Sequence, residues 1–225
     1  MTRPSLALLA AAVVLAPLPL RAQDPRLDAR LDTATRAVVL RTIDTARELG
    51  LPVEPLVDKA LEGATKRAAA PRIETAVAAL LHRMQESRDA LAPNAAPRDI
   101  VAGADALAYG ATREALVAMR AIRPNGSLAV PLAVLTQLVA SGVPVARATR
   151  VVADLLKRGA RDEQLIALQN DVRSYVAAGA TPEAALDVRT RGLNAVLPPG
   201  GAAGAAATGD ASAPQSTAAG GTKKP

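Results

Sequence analysis

The chain has 225 residues and a formal net charge of +6, and it contains no cysteine, phenylalanine or tryptophan. Without cysteine it cannot form disulfides, thiolate metal sites or a cysteine nucleophile. The two tyrosines are the whole aromatic content, so we expect no stacking platform for nucleic acid or sugars. Two arginines in residues 1–22 and a surplus of one cation in residues 197–225 leave +3 on residues 23–196, which gives no reason to expect a polyanion partner.

The first 22 residues have the layout of a secretory signal peptide. Arg3 precedes an apolar run from Leu6 to Ala16, and the small residue Ala22 precedes a polar stretch. We predict cleavage near Ala22 and export to the periplasm or the extracellular space. A buried helix or a retained anchor is the alternative, but the run is only about 16 Å long as a helix, against about 30 Å of hydrocarbon.

From residue 23 to about residue 196 the apolar spacing is helical, and no sustained alternation predicts a strand. We predict an all-α domain of eight or nine helices in antiparallel hairpins. The predicted spans are 24–49, 53–62, 71–91, 97–109, 112–122, 128–141, 144–158, 161–178 and 182–194.

Glycines mark the boundaries between several of these spans. Five of them stand where one helix stops, and a proline, threonine or acidic residue soon follows: Gly50, Gly110, Gly142, Gly159 and Gly179. Helix pairs recur every 32–37 residues, which is typical of a two-helix repeat. The pattern favours a short α-array over an irregular bundle, and both remain open.

Residues 127–146 carry no charge. Because Gly142 and Pro144 end this helix after about 21 Å, it is too short for a membrane span. We expect a central helix surrounded by its neighbours; the alternative is a helix with a partner-binding face. Within the preceding turn, Asn125-Gly126-Ser127 matches a glycosylation acceptor, but a turn followed by an N-cap is the simpler reading.

Beyond Pro198 the chain consists mainly of Gly, Ala, Ser, Thr and Pro. Such a segment buries too little apolar surface to offset the entropy of ordering, so residues 197–225 are predicted to be a disordered tail.

No pattern of residues indicates catalysis, a cofactor or a metal site. His82 is the only histidine and lies opposite the apolar stripe of its helix, so it is expected at the surface. The acidic residues mostly alternate with arginines on helix faces, with Asp32 spaced to pair with Arg36. We therefore predict no catalytic residue, no cofactor and no metal ligand.

Tyr109 and Tyr175 are the candidate partner contacts. Tyr175 falls on an apolar stripe with Leu168 and Val172, and Tyr109 directly precedes Gly110. Packing in the core or at a helix end is the plain expectation for both rings. Contact with a ligand or partner is the alternative.

The run from Arg47 to Gly63, together with the Gly-Val-Pro start at residue 142 and the Gly-Ala-Thr-Pro-Glu start at residue 179, resembles uncharacterised exported all-helical bacterial proteins. The resemblance covers roughly residues 47–194 and consists of helix punctuation. It implies a helical, envelope-directed protein and no particular activity.

The sequence thus favours a non-enzymatic binding or scaffold protein of the cell envelope, whose partner is another envelope protein. One alternative is a hydrolase-like enzyme whose carboxylates and arginines are brought together in a cleft. The other is a structural protein without a specific ligand.

Overall fold

A computed structural model describes residues 24–198, which form an all-α fold with no strand in that range. Its helices are α1 Pro25–Asp28, α2 Thr33–Glu48, α3 Glu54–Thr65, α4 Ala70–Ala90, α5 Pro97–Ala108, α6 Arg113–Ile122, α7 Ala129–Ala140, α8 Val145–Lys157, α9 Asp162–Ala177 and α10 Pro182–Val196. The predicted signal peptide and the tail beyond Pro198 lie outside the described residues.

The glycine punctuation is confirmed. Every glycine named as a helix stop has a positive φ, from 67° at Gly50 to 97° at Gly179. The residue after each glycine donates its backbone N–H to a carbonyl five residues earlier, as Leu51 does to Ala46 at 2.8 Å. This bond uses a carbonyl that the end of the helix would otherwise leave free. The next helix follows within a few residues.

The predicted span 24–49 is wrong in one respect, because it contains two helices. Asp24 caps α1 and Asp32 caps α2, where the Asp32 carboxylate accepts hydrogen bonds from the backbone of Ala34 and Thr35. The second oxygen of Asp32 accepts from Thr35 Oγ1 at 2.6 Å and is not the partner of Arg36. Arg36 instead pairs with Asp28 at 3.2 Å.

The helices form two layers. In one layer α5 packs against α7 and α7 against α9; in the other α4 contacts α6 and α6 contacts α8. Contacts between helices that follow one another in the chain join these layers, in the pairs α3–α4, α4–α5, α7–α8 and α9–α10. Arg147 of α8 adds ion pairs to Glu183 and Asp187 of α10.

Two apolar clusters fill the space between the helices. The first cluster comes from α1 to α4 and the first half of α5, and includes Leu56, Ile73 and Met84. The second cluster runs from the end of α4 to α10 and includes Leu135 and Leu155. α5 takes part in both clusters.

The uncharged helix α7 is central, as predicted. It packs against α5, α8 and α9, and buries Leu132, Val134, Leu135 and Leu138. Among the described residues no helix is both long enough and apolar enough to cross a bilayer.

One helix ends without a glycine. Arg67 follows α3 with a φ of 53°, and Ala68 donates to the carbonyl of Gly63 at 3.0 Å, as at the glycine-terminated helices. A side chain in this left-handed conformation costs about 1–2 kcal/mol. The sequence places an arginine where the fold favours glycine.

We predict that Arg67→Gly raises the free energy of unfolding by about 0.5–1 kcal/mol, because glycine adopts this φ without the steric penalty. Urea denaturation measures the change. The control is Lys66→Gly, one residue earlier at a φ of −76°, where glycine gains nothing and is expected to destabilise. A lower stability for Arg67→Gly would show that the arginine side chain stabilises the native state.

Candidate functional site

A buried carboxylate joins α5 to the start of α7. Asp99 is 1% exposed. Its Oδ1 accepts hydrogen bonds from Ser127 Oγ at 2.7 Å, from the Ala129 N–H at 3.0 Å and from the Leu128 N–H at 3.1 Å. Asp99 therefore caps a helix 30 residues further along the chain, where a negative charge also suits the positive end of the helix dipole.

The other carboxylate oxygen binds the one buried arginine among the described residues. Arg120 is 6% exposed, and its Nη2 donates to Asp99 Oδ2 at 3.0 Å. The same guanidinium donates to backbone carbonyls of the α6–α7 loop, including Gly126 at 2.8 Å, and to Asn94 at 3.3 Å. Nearby, Arg123 ties the loop to Asp162 at 2.8 Å.

This network holds α5 and α6 to the loop before α7, and it leaves few free hydrogen-bonding atoms for a ligand. Both oxygens of Asp99 are occupied, and the pair lies under the α6–α7 loop. The chain bends at residues 125 and 126. The expected Ser127 N-cap is wrong, because Leu128 is the N-cap of α7; Ser127 Oγ accepts from the Ala129 N–H at 3.2 Å and shares that donor with Asp99.

The candidate residues from the sequence are far more exposed than core packing allows. Tyr109 is the C-cap of α5 and is 50% exposed; Tyr175 lies near the end of α9 and is 43% exposed. The expectation that Tyr175 fills the core is therefore wrong, since Leu168 and Val172 occupy the buried stripe without it. Both rings stay available as partner contacts. His82 is exposed, as predicted.

A second group of charged side chains lines a depression at the surface. Two adjoining cavities, of about 540 and 530 Å³, open beside the α3–α4 hairpin and share Lys59, Arg72 and Ala76 as lining. Together they form what we call the basic cleft. Its charged lining consists of Lys59, Glu62, Lys66, Arg67, Arg72 and Arg83.

A close helix approach sets the floor of this cleft. Gly63 of α3 faces Ile73 of α4, and a Cβ at Gly63 would come within 2.8 Å of Ile73 Cγ1. Ile73 is buried in the first cluster and also lines the cleft. The base is therefore apolar and rigidly packed, while the charged side chains stand at its rim.

The single carboxylate of the lining is already neutralised. Lys59 Nζ lies 2.7 Å from Glu62 Oε2, and Lys66 Nζ lies 2.5 Å from Glu62 Oε1. Hydrogen bonds from Lys59 and then Lys66 lower the pKa of Glu62 to about 2. Glu62 is thus ionised at neutral pH and is unsuited to act as a general acid there.

The three arginines of the cleft have no such partner. Among the described residues, the side chains of Arg67, Arg72 and Arg83 form no hydrogen bond or ion pair, and Arg83 Nε is buried without an acceptor. Unused guanidinium donors at a cavity are suited to bind carboxylate or phosphate groups from outside.

Asp105 lies close enough to this region to interact with it. Crowding by neighbouring helices raises the pKa of the Asp105 carboxyl, while the charges of Lys59 and Arg83 oppose that change. Its side chain is nonetheless exposed, so the carboxylate stays hydrated. It lessens the positive potential near Arg83 without cancelling it.

The start of α4 adds to that potential. Ala69 is its N-cap and supplies no side-chain hydrogen bond, and both Ala68 and Ala69 line the cleft. The helix is 21 residues long, and the partial positive charge of its first turn faces the same space. No group of three or more His, Asp or Glu side chains within residues 24–198 is arranged to hold a metal ion.

The small net charge of the whole domain does not reveal the cleft. A local signal is nonetheless present, since five cations fall between residues 59 and 83, on the predicted helices 53–62 and 71–91 and in the segment between them. The Asp99–Arg120 pair gave no local signal, because its partners are 21 residues apart.

No protein-family model, curated protein or solved structure matches this chain.

Proposed function

We propose that this chain is an exported, non-enzymatic binding protein of the cell envelope. The observation that carries the proposal is the basic cleft, where Arg67, Arg72 and Arg83 present unpaired guanidinium groups beside an apolar floor. Cavities of this size hold small ligands or the ends of larger ones. The signal-peptide pattern of residues 1–22 supplies the envelope location.

The hydrolase alternative receives less support from this cleft. Acid–base hydrolysis by carboxylates needs two acidic groups in different protonation states. The lining contains Glu62 as its single carboxylate, and two lysines hold it ionised. Asp105, whose pKa is raised, lies nearby but does not line the cleft, so the lining offers no second carboxyl group to pair with Glu62.

The experiment expresses the full-length chain in a Gram-negative host. Export predicts that the protein is recovered from the periplasm or the medium with Gln23 as its first residue, as read by mass spectrometry of the intact product. Envelope binding predicts that the purified protein sediments with washed envelope fragments.

Recovery of the uncleaved chain from the cytosol would contradict export. Failure of the folded protein to sediment with envelope fragments above the level seen with the protein alone would contradict the binding function. Far-UV circular dichroism shows that the protein tested is folded.

A further inference from the structure

We infer that the basic cleft binds a phosphate-bearing organic anion with at least two negative charges. The inference rests on the proposed binding function and names the chemistry of the ligand. Free phosphate compounds and lipid headgroups share this chemistry, so the experiment uses inorganic pyrophosphate to test the phosphate groups alone and a phospholipid to test phosphate attached to a carbon skeleton.

The number of charges favours a ligand with more than one negative charge. Five cationic side chains surround one carboxylate, Glu62, which leaves a surplus of four positive charges in the lining. Even with Asp105 included, a single carboxylate ligand would leave most of this surplus unbalanced. A phosphate monoester or a diphosphate brings about two or more negative charges at neutral pH.

The planar guanidinium donors favour a phosphate group, which has several acceptor oxygens, over a spherical halide ion. Arg67 and Arg72, near the start of α4, offer planar forks that bind two oxygens at once, and Arg83 lies eleven residues, about 16 Å, further along α4. The first turn of α4, uncapped by any side chain, adds the positive end of its dipole. Tetrahedral groups with several acceptor oxygens can use donors that approach from different directions.

The apolar part of the lining indicates that the ligand is more than an inorganic ion. Ile73, Ala76 and Ala79 line the two cavities between the charged groups. Carbon atoms of a ligand that lie against these side chains are removed from water, which favours binding. A phosphate attached to a carbon skeleton would use both parts of the cleft.

Glu62 limits the affinity of the cleft for an anionic ligand. Its two ion pairs hold Lys59 and Lys66 along one side of α3 and compete with an entering anion for both ammonium groups. Glu62→Gln removes that competing charge and releases both lysines. Binding of an anionic ligand should then become tighter by about threefold or more, since like-charge repulsion is also lost.

The test is calorimetric titration of the purified protein with inorganic pyrophosphate at low salt. A parallel arm measures cosedimentation with phosphatidylcholine vesicles that do or do not contain phosphatidic acid. The cleft variant is Arg72→Gln with Arg83→Gln. The matched control is Arg113→Gln with Arg150→Gln, which removes the same charge from exposed arginines on α6 and α8.

We expect the cleft variant to weaken binding at least tenfold, about the effect of one charge-assisted hydrogen bond, while the control changes it about twofold or less. Binding to pyrophosphate indicates a free ligand, and binding only to phosphatidic acid vesicles indicates a headgroup. Arg67→Gly should weaken binding while stabilising the fold, which separates the two roles of this residue.

Equal weakening by the cleft variant and its control would overturn the inference, because it would show a general effect of net charge. Absence of binding to both pyrophosphate and phosphatidic acid vesicles would also overturn it. If the wild-type protein still sediments with envelope fragments in that case, the proposed function stands and only the ligand class is wrong.

Discussion

Asp99→Ala is expected to lower the free energy of unfolding by about 3–5 kcal/mol, the range for removing one partner of a buried ion pair. The substitution leaves the Arg120 guanidinium buried without its counter-ion. It also removes the acceptor for the Leu128 and Ala129 N–H groups and for the Ser127 hydroxyl. Urea denaturation followed by far-UV circular dichroism measures the loss.

The control for Asp99 is Asp154→Ala, which breaks an exposed pair with Lys157 at 3.4 Å. Exposed pairs contribute about 0–1 kcal/mol, so little change is expected. The double variant Asp99→Ala with Arg120→Met should recover part of the loss, because it removes the unpaired buried charge. A loss for Asp99→Ala no larger than that of the control would show that the Asp99 contacts do not hold α5 to α6 and to the start of α7.

Leu135→Ala is expected to cost about 2–5 kcal/mol of unfolding free energy, as for other buried leucines. Leu135 is 1% exposed and lies in the second cluster on the central helix α7. Neighbours on α5, α8 and α9 surround that helix, so they cannot easily close the cavity that truncation leaves. Thermal or urea unfolding measures the difference.

The matched variant is Ile166→Ala on α9, an aliphatic side chain that is 43% exposed. It should cost about 1 kcal/mol or less, because much of its surface already contacts water. A small loss for both variants would contradict the central position of α7. A large loss for both would mean that Ile166 is covered in solution, as it would be by a second molecule.

The helices could be predicted from the sequence because their ends are encoded locally. A glycine with positive φ, such as Gly142, ends one helix, and a threonine such as Thr112 caps the next with its own side chain. These signals act within about five residues. The break between α1 and α2 was missed because Asp32 suited two local roles, capping and pairing, and the sequence does not say which is stronger.

The contacts between distant residues could not be predicted in this way. Asp99 reads as one acidic residue near the start of a helix, and nothing local shows that its carboxylate caps α7. Tyr175 follows the apolar spacing of α9, yet its position near the helix end exposes the ring. Burial depends on which neighbours cover a residue, and the neighbours follow from the whole fold.

The basic cleft and the exposed Tyr175 lie on helices that belong mainly to different apolar clusters. Both helices that form the cleft, α3 and α4, contribute their buried side chains chiefly to the first cluster. A ligand bound by α3 and α4 would stabilise the folded state of this half of the protein, because it binds the folded form and not the unfolded chain. The exposed Tyr175 lies on α9, whose buried side chains belong to the second cluster.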